Sequence, residues 1–257
     1  MTMSLWRRKG FPLLWNWQKS CFAALFAEAE MPWDVLHELD RYLDMLLASS
    51  GTEIRSPVPQ GAHIEGRVFV DEGCRIESGA FIRGPAWIGA GCEIRAHCYI
   101  RGGVLAAPGA LLGHASEFKQ CILMEGAQAP HFNYIGDSVM GIHSHVGAGV
   151  ILSNYRLDGK AVRVRLPGHV PLQKEHGAND VQWPTPAQPF SIETGLAKFG
   201  ALLGDYCEIG CNSVLNPGTI LGESSVVMPL TEVRGTWPAE SRLSRSGSSP
   251  SGGCPSP

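Results

Sequence analysis

The sequence has little net charge, few cysteine motifs and no long apolar run, and each shortage removes a class of function. The net charge is −3, with 18% charged residues. That leaves no basic stripe for nucleic acid and no acidic tail, so any anionic ligand must be met by a few local cations. The eight cysteines contain no CxxC pair and no zinc-finger spacing, so no structural zinc module is expected. Free thiols fit a reducing compartment, and a cytoplasmic protein is the expectation. Arg7 and Arg8 stand before an apolar stretch in the manner of an export signal, but Asn16, Gln18 and Lys19 interrupt it. No stretch is long enough to span a membrane, and no membrane partner is expected.

What is abundant is punctuation: 31 Gly and 18 Pro in 257 residues suit many tight corners between short strands. From Ile64 one apolar residue returns every sixth position, through Val70, Ile76, Ile82, Ile88, Ile94 and Ile100, with Leu112 and Phe118 in register. Four residues after each anchor comes a small residue, as at Cys74, Ala80, Ala86, Cys92, Cys98, Ala110 and Ser116. A period of six matches neither a helix nor an ordinary strand; it is the hexapeptide pattern of a left-handed parallel β-helix, an all-β fold. The anchor points into a triangular core, the small residue lets the chain turn inside it, and three hexapeptides make a coil. The lattice returns as Met140, Val146 and Leu152, then as Leu203, Ile209, Leu215, Leu221 and Val227, with Cys207, Ser213, Thr219 and Ser225 in the small slot. In this slot a thiol acts as a small apolar filler.

Three divisions follow. Residues 1–57 form an N-terminal segment, in which Pro32 precedes one amphipathic helix from Trp33 to Leu47; it is expected to cap the open end of the coil stack. Residues 58–240 form the β-helix, with an excursion at about 161–194 that lacks the lattice and is expected to reach a neighbouring subunit. Residues 241–257, rich in Ser, Gly and Pro, are expected to be disordered.

A solenoid specifies no reaction, so chemistry is sought where the lattice is interrupted. The first interruption is GHASEFKQCILMEGAQAPHFNYIGD; the second is GAGVILSNYRLDGK with GLAKFGALLGD. They collect Glu117, Lys119, His131, Tyr134, Asn154, Tyr155 and either Lys160 or Lys198: a base, phenols, an amide and cations. A neutral imidazole near pH 7 is suited to accept the proton of an attacking amine, and backbone donors can hold a tetrahedral oxyanion.

At these phrases, EFK at 117, QAPHFNYIGD at 128, HVGAGVILSNY at 145 and KFGALLGD at 198, the chain resembles the acetyltransferase half of bifunctional N-acetylglucosamine-1-phosphate uridyltransferase / glucosamine-1-phosphate acetyltransferase. The resemblance implies an acetyl-CoA-dependent N-acetyltransferase acting on an amino-sugar 1-phosphate, assembled as a homotrimer and needing no metal. It implies His131 as general base, with Glu117 orienting substrate or base. Arg101, Lys119 and Lys198 or Lys160 would hold phosphate, with Tyr134 on the phosphate side and Asn154 and Tyr155 lining the amino-sugar site. The Ala148 backbone N–H would face the thioester carbonyl, and Cys211 stands where the family has a cofactor-contacting Ser. The chain departs from the pattern at His145, in place of an Asn, and at Arg156-Leu157-Asp158-Gly159, in place of Asp-Gly. The Gly-rich loop of the uridyltransferase half has no counterpart, so nucleotidyl transfer is not expected. Two other readings use the same scaffold. A non-catalytic or regulatory trimer would keep the solenoid without turnover; a γ-carbonic anhydrase-like metalloenzyme would need an H-x4-H pair, where this chain has His143 and His145 in H-x-H.

Overall fold

A computed structural model describes residues 13–166 and 190–244. Most hexapeptides form a strand of two or three residues, and the chain turns at corners in the left-handed backbone region. One corner column is Gly79, His97, Ala115, Phe132, Gly149, Asn212 and Leu230, every one with positive φ. Strands stack in parallel on the equivalent strand one coil earlier, giving a left-handed parallel β-helix with three faces. The anchors fill its interior: Ile82, Ile88, Ile94, Ile100, Leu112, Phe118 and Leu152 are fully buried. So are the small-slot residues Ala86, Cys98, Ala110 and Cys207.

The first interruption proves to be no interruption. His131 stays in the coil wall, and the register Phe118↔Ile135, Leu112↔Ala129 and Leu123↔Met140 shows coils of 17 residues in place of 18. One residue is missing per coil, so Leu123, Ala129 and Ile135 take anchor positions that a fixed count of six walks past. A shortened coil also explains the end of the chain. Val227 pairs with Leu243, and Leu243 is buried in the core, so Ser241 to Ser244 belong to the last coil, contrary to the expected disorder from 241. The remainder of that tail lies outside the described residues.

The faces differ in what covers them. One, the flank, carries an outward apolar row in register, Phe69↔Trp87↔Leu105 and Ile122, Val139, Leu202, Ile220 in the later coils. Short helices Ala23–Ala27, Asp34–His37 and Leu39–Ser50 lie over this row, with Phe22, Phe26, Leu39 and Leu43 buried in a second core. The expected amphipathic helix is thus present, disturbed only at Glu38, but it covers the flank of the prism instead of its open end. The outward apolar row supplies the burial that places it there. The excursion also folds back on its own chain. Strands Arg163–Leu166 and Phe190–Glu193 pair antiparallel, and Val162, Val164 and Leu166 bury beside the helices. The described stem packs within its own chain; residues 167–189, the rest of the excursion, lie outside the described residues.

Candidate functional site

The face between the Phe132 corner and the Asp137 corner carries the polar residues. Its strands include Tyr99–Ile100, Ile151–Leu152 and the first halves of Glu117–Leu123 and Tyr134–Met140. Alternation sends Phe118 and Ile135 inward, so Glu117, Lys119 and Tyr134 face out. Stacking puts Tyr99, Glu117, Tyr134 and Ile151 in one row. Arg101 Nη1 donates to Glu117 Oε1 at 2.5 Å. Lys119 Nζ sits 3.2 Å from Asp137 Oδ2. Asn154 Nδ2 donates to Asp137 Oδ2 and, at 3.1 Å, to the Tyr134 hydroxyl. Burial raises the pKa of Tyr134, so its phenol keeps its proton at neutral pH. Arg101, Glu117, Lys119, Tyr134 and Asn154, drawn from four successive coils, therefore meet at one corner. Asp137, only 7% exposed, is the hub, and sequence reasoning passed over it although it closes the phrase NYIGD.

A second group gathers at the other corner of the same face. His131 is exposed at the end of strand Gln128–His131, one coil above Ala148 and Gly149. Gly149 N–H donates to the His131 carbonyl at 3.1 Å, and Asn212 N–H to the Ala148 carbonyl at 2.9 Å. Cys211 lies on the next coil; its Sγ is 2.9 Å from where a Cβ on Gly147 would stand. Beneath His131, buried Asn133 fixes the corner: its Oδ1 accepts the His131 N–H at 3.0 Å and its Nδ2 donates to the Gly147 carbonyl at 2.7 Å. Asn133 too went unnoticed in the sequence, since it occupies a slot otherwise filled by Cys, Ala, Ser, Thr or Val.

The two groups are joined through the backbone, where the Glu117 N–H donates to the Asn133 carbonyl at 2.8 Å; among the described residues no side-chain hydrogen bond or ion pair links them. The later lysines differ in placement. Phe199 N–H donates to the Asn154 carbonyl at 2.9 Å and Gly200 N–H to the Asp137 carbonyl at 2.8 Å, which sets exposed Lys198 next to the hub. Lys160 is exposed on a turn closed by the Arg156–Asp158 ion pair, its N–H bonded to Asp158. Tyr155 is exposed beside the same turn. His145 bonds Glu208 and His143 stacks on Tyr206. Among the described residues no group of three His, Cys, Asp or Glu within the chain is placed to hold a metal ion.

No family model matches the chain. A bifunctional protein GlmU of Methanococcus maripaludis (strain C7) is 37% identical over 196 residues, covering 76% of this chain and 41% of the relative. The GlmU of Methanocaldococcus jannaschii is 32% identical over 193 residues, with 75% and 41% covered. A bifunctional sugar-1-phosphate nucleotidylyltransferase/acetyltransferase of Sulfurisphaera tokodaii is 30% identical over 198 residues, with 77% and 43% covered. The chain spans less than half the length of these curated relatives. A crystal structure of a mutant of AntD, an N-acyltransferase from Bacillus cereus, in complex with dTDP and coenzyme A, aligns over 70% of this chain and 76% of that one at 14% identity, with a TM-score of 0.24 that carries no argument. Together the hexapeptide coils and these relatives identify the chain as a hexapeptide-repeat β-helix that resembles the acetyltransferase half of the bifunctional GlmU proteins.

Proposed function

We propose that the chain is an acetyl-CoA-dependent N-acetyltransferase acting on an amino-sugar 1-phosphate of the glucosamine-1-phosphate kind, in the synthesis of nucleotide-sugar precursors in the cytoplasm, and that it works as a homotrimer. The observation that carries this reading is the pair of corners on one face. One presents cations, a phenol and an amide; the other presents an exposed imidazole one coil from a backbone N–H with no described partner, that of Ala148.

The chemistry follows from these groups. Lys119, Arg101 and Lys198 meet the phosphate, Tyr134 donates its retained proton to it, and Asn154 and Tyr155 flank the sugar. Glu117, held by Arg101, orients the acceptor. The amine nitrogen attacks the thioester carbonyl carbon, and the oxygen charge that develops is met by the Ala148 N–H. His131 removes the proton that the nitrogen must lose, then returns it to the departing thiolate of coenzyme A beside Cys211. The products are an amide and a free thiol, and no covalent enzyme intermediate is needed.

The test is release of free thiol from acetyl-CoA with a panel of amino-sugar phosphates. The phosphorylated amino sugar should be acetylated and its unphosphorylated counterpart far less. His131→Ala should lower turnover by roughly two to four powers of ten, the usual worth of a general base. Coenzyme A binding with no product from any acceptor would sink the enzyme reading and leave a non-catalytic trimer.

A further inference from the structure

Asp137 stands at the centre of the polar corner, and three independent features show that the corner is built around it. Its side chain is 10% exposed and lies against the ammonium of Lys119, with Nζ 3.3 Å from Oδ1 and 3.2 Å from Oδ2. Its backbone has φ of +47°, in the left-handed region that Asp and Asn occupy more readily than other side chains. The preceding residue is Gly136, where a Cβ would come within 2.6 Å of the Tyr134 hydroxyl and 2.8 Å of Asn154 Nδ2. A side chain at 136 would thus occupy the space in which Tyr134, Asn154 and Asp137 meet.

The carboxylate also decides which way its neighbours point. An ionised Asp137 can only accept, so the Asn154 amide must turn its nitrogen toward it and its Oδ1 away. The same nitrogen donates to the Tyr134 oxygen, which leaves the phenolic proton free to donate elsewhere. The corner therefore offers a ligand one amide acceptor, one phenol donor and the remaining N–H groups of Lys119. That set matches a hydroxyl or amine next to an anionic oxygen.

We propose that Asp137 is the positioning residue of this site: it holds the Lys119 ammonium in place and fixes the Asn154 amide with its oxygen toward the acceptor, without itself touching the reacting atoms. The kinetic part of this inference rests on the acetyltransferase reading; the side-chain part does not.

The variant to make is Asp137→Asn, which keeps the shape and suits the left-handed corner but removes the charge and the one-way amide preference. Lys119 is then expected to react several-fold faster with an amine-directed acylating reagent, measured by peptide mass spectrometry against exposed Lys19 in the same molecule. The apparent KM for the amino-sugar phosphate should rise roughly tenfold to a hundredfold, the range of a lost charge-assisted bond, with kcat reduced much less. A purely structural carboxylate would lower the melting temperature and leave both readouts unmoved. In a double-mutant cycle with Lys119→Met, the two effects on KM should be strongly non-additive. Unchanged Lys119 labelling, or additive effects in the cycle, overturns the proposal. A parent protein with no turnover at all sinks the acetyltransferase reading instead, and the labelling still decides the role of Asp137.

Discussion

Asn133 shows how one residue can change the meaning of a repeat. The small slot of each hexapeptide accepts whatever lets the chain turn inside the prism, and most coils use Cys, Ala or Ser there. In the coil that carries His131 the slot holds an amide, which satisfies the His131 N–H and the Gly147 carbonyl together. Its own N–H donates to Ser116 Oγ at 3.0 Å. Asn133→Ala would leave the buried Gly147 carbonyl and the half-buried His131 N–H without their partner, at about 1–3 kcal/mol for the buried group. Urea unfolding should show a loss of that order, and turnover should fall further than in an Asn133→Ser variant, because the backbone that carries the imbalance is that of His131. Gly136→Ala should act differently: a methyl group pressed on Tyr134 and Asn154 costs about 1–3 kcal/mol as overpacking and should raise KM for the phosphorylated acceptor.

At the scale of elements, the strands were more legible than what covers them. The six-residue anchor spacing is visible wherever coils have 18 residues, and it fades where coils have 17 because the count no longer lands on Ala129 or Ile135. The apparent break around His131 was this change of period. The position of the helical layer was also written in the sequence, in the apolar middle residue of VFV, AWI, VLA, CIL, SVM, ALL and TIL. An outward apolar residue repeated once per coil demands a cover. That row was missed because attention to the inward anchors treats both neighbours as solvent-facing. The hub at Asp137 was hidden for another reason: its partners come from positions 119 and 154, and only the stacking of coils makes them neighbours. Leu43 is fully buried between the layer and the flank, and Leu43→Ala should cost about 2–5 kcal/mol and expose apolar surface to a hydrophobic dye. The layer is also pinned by Asp205, whose carboxylate accepts the Asn16 and Ile142 N–H groups at 2.7 Å and 2.8 Å. Burial raises its pKa to about 6 from an ordinary 3.8. The folded chain then binds this proton more tightly than the unfolded chain does, so the contribution is complete below the unfolded value and is lost as pH rises through about 6. Denaturation midpoints measured between pH 4 and 7 should carry this downward slope, and Asp205→Asn should flatten it.

For the whole molecule, the uncovered faces argue for assembly. The flank is covered by the chain's own helices and hairpin, whereas the other two faces are bare among the described residues. At the corner between them Phe132 is 58% and Leu230 57% exposed, both with left-handed backbone, φ of +53° and +60°. Bulky apolar side chains in that conformation cost free energy in a lone chain and gain no burial for it, whereas Asn would be at ease there. A second copy set against this corner would bury both residues and bring its own groups to the exposed imidazole of His131. The parent chain should therefore be a trimer by light scattering at micromolar concentration. Replacing both residues, Phe132→Asn with Leu230→Asn, should release monomers whose secondary structure by circular dichroism is that of the parent, since Asn relieves the backbone at each corner. Turnover should vanish with the trimer and return in part as protein concentration is raised, as the proposed trimeric site requires. A parent chain that sediments as a monomer, or a monomeric double variant that keeps full turnover, would show that one chain holds the whole site and that Phe132 and Leu230 are exposed for some other reason.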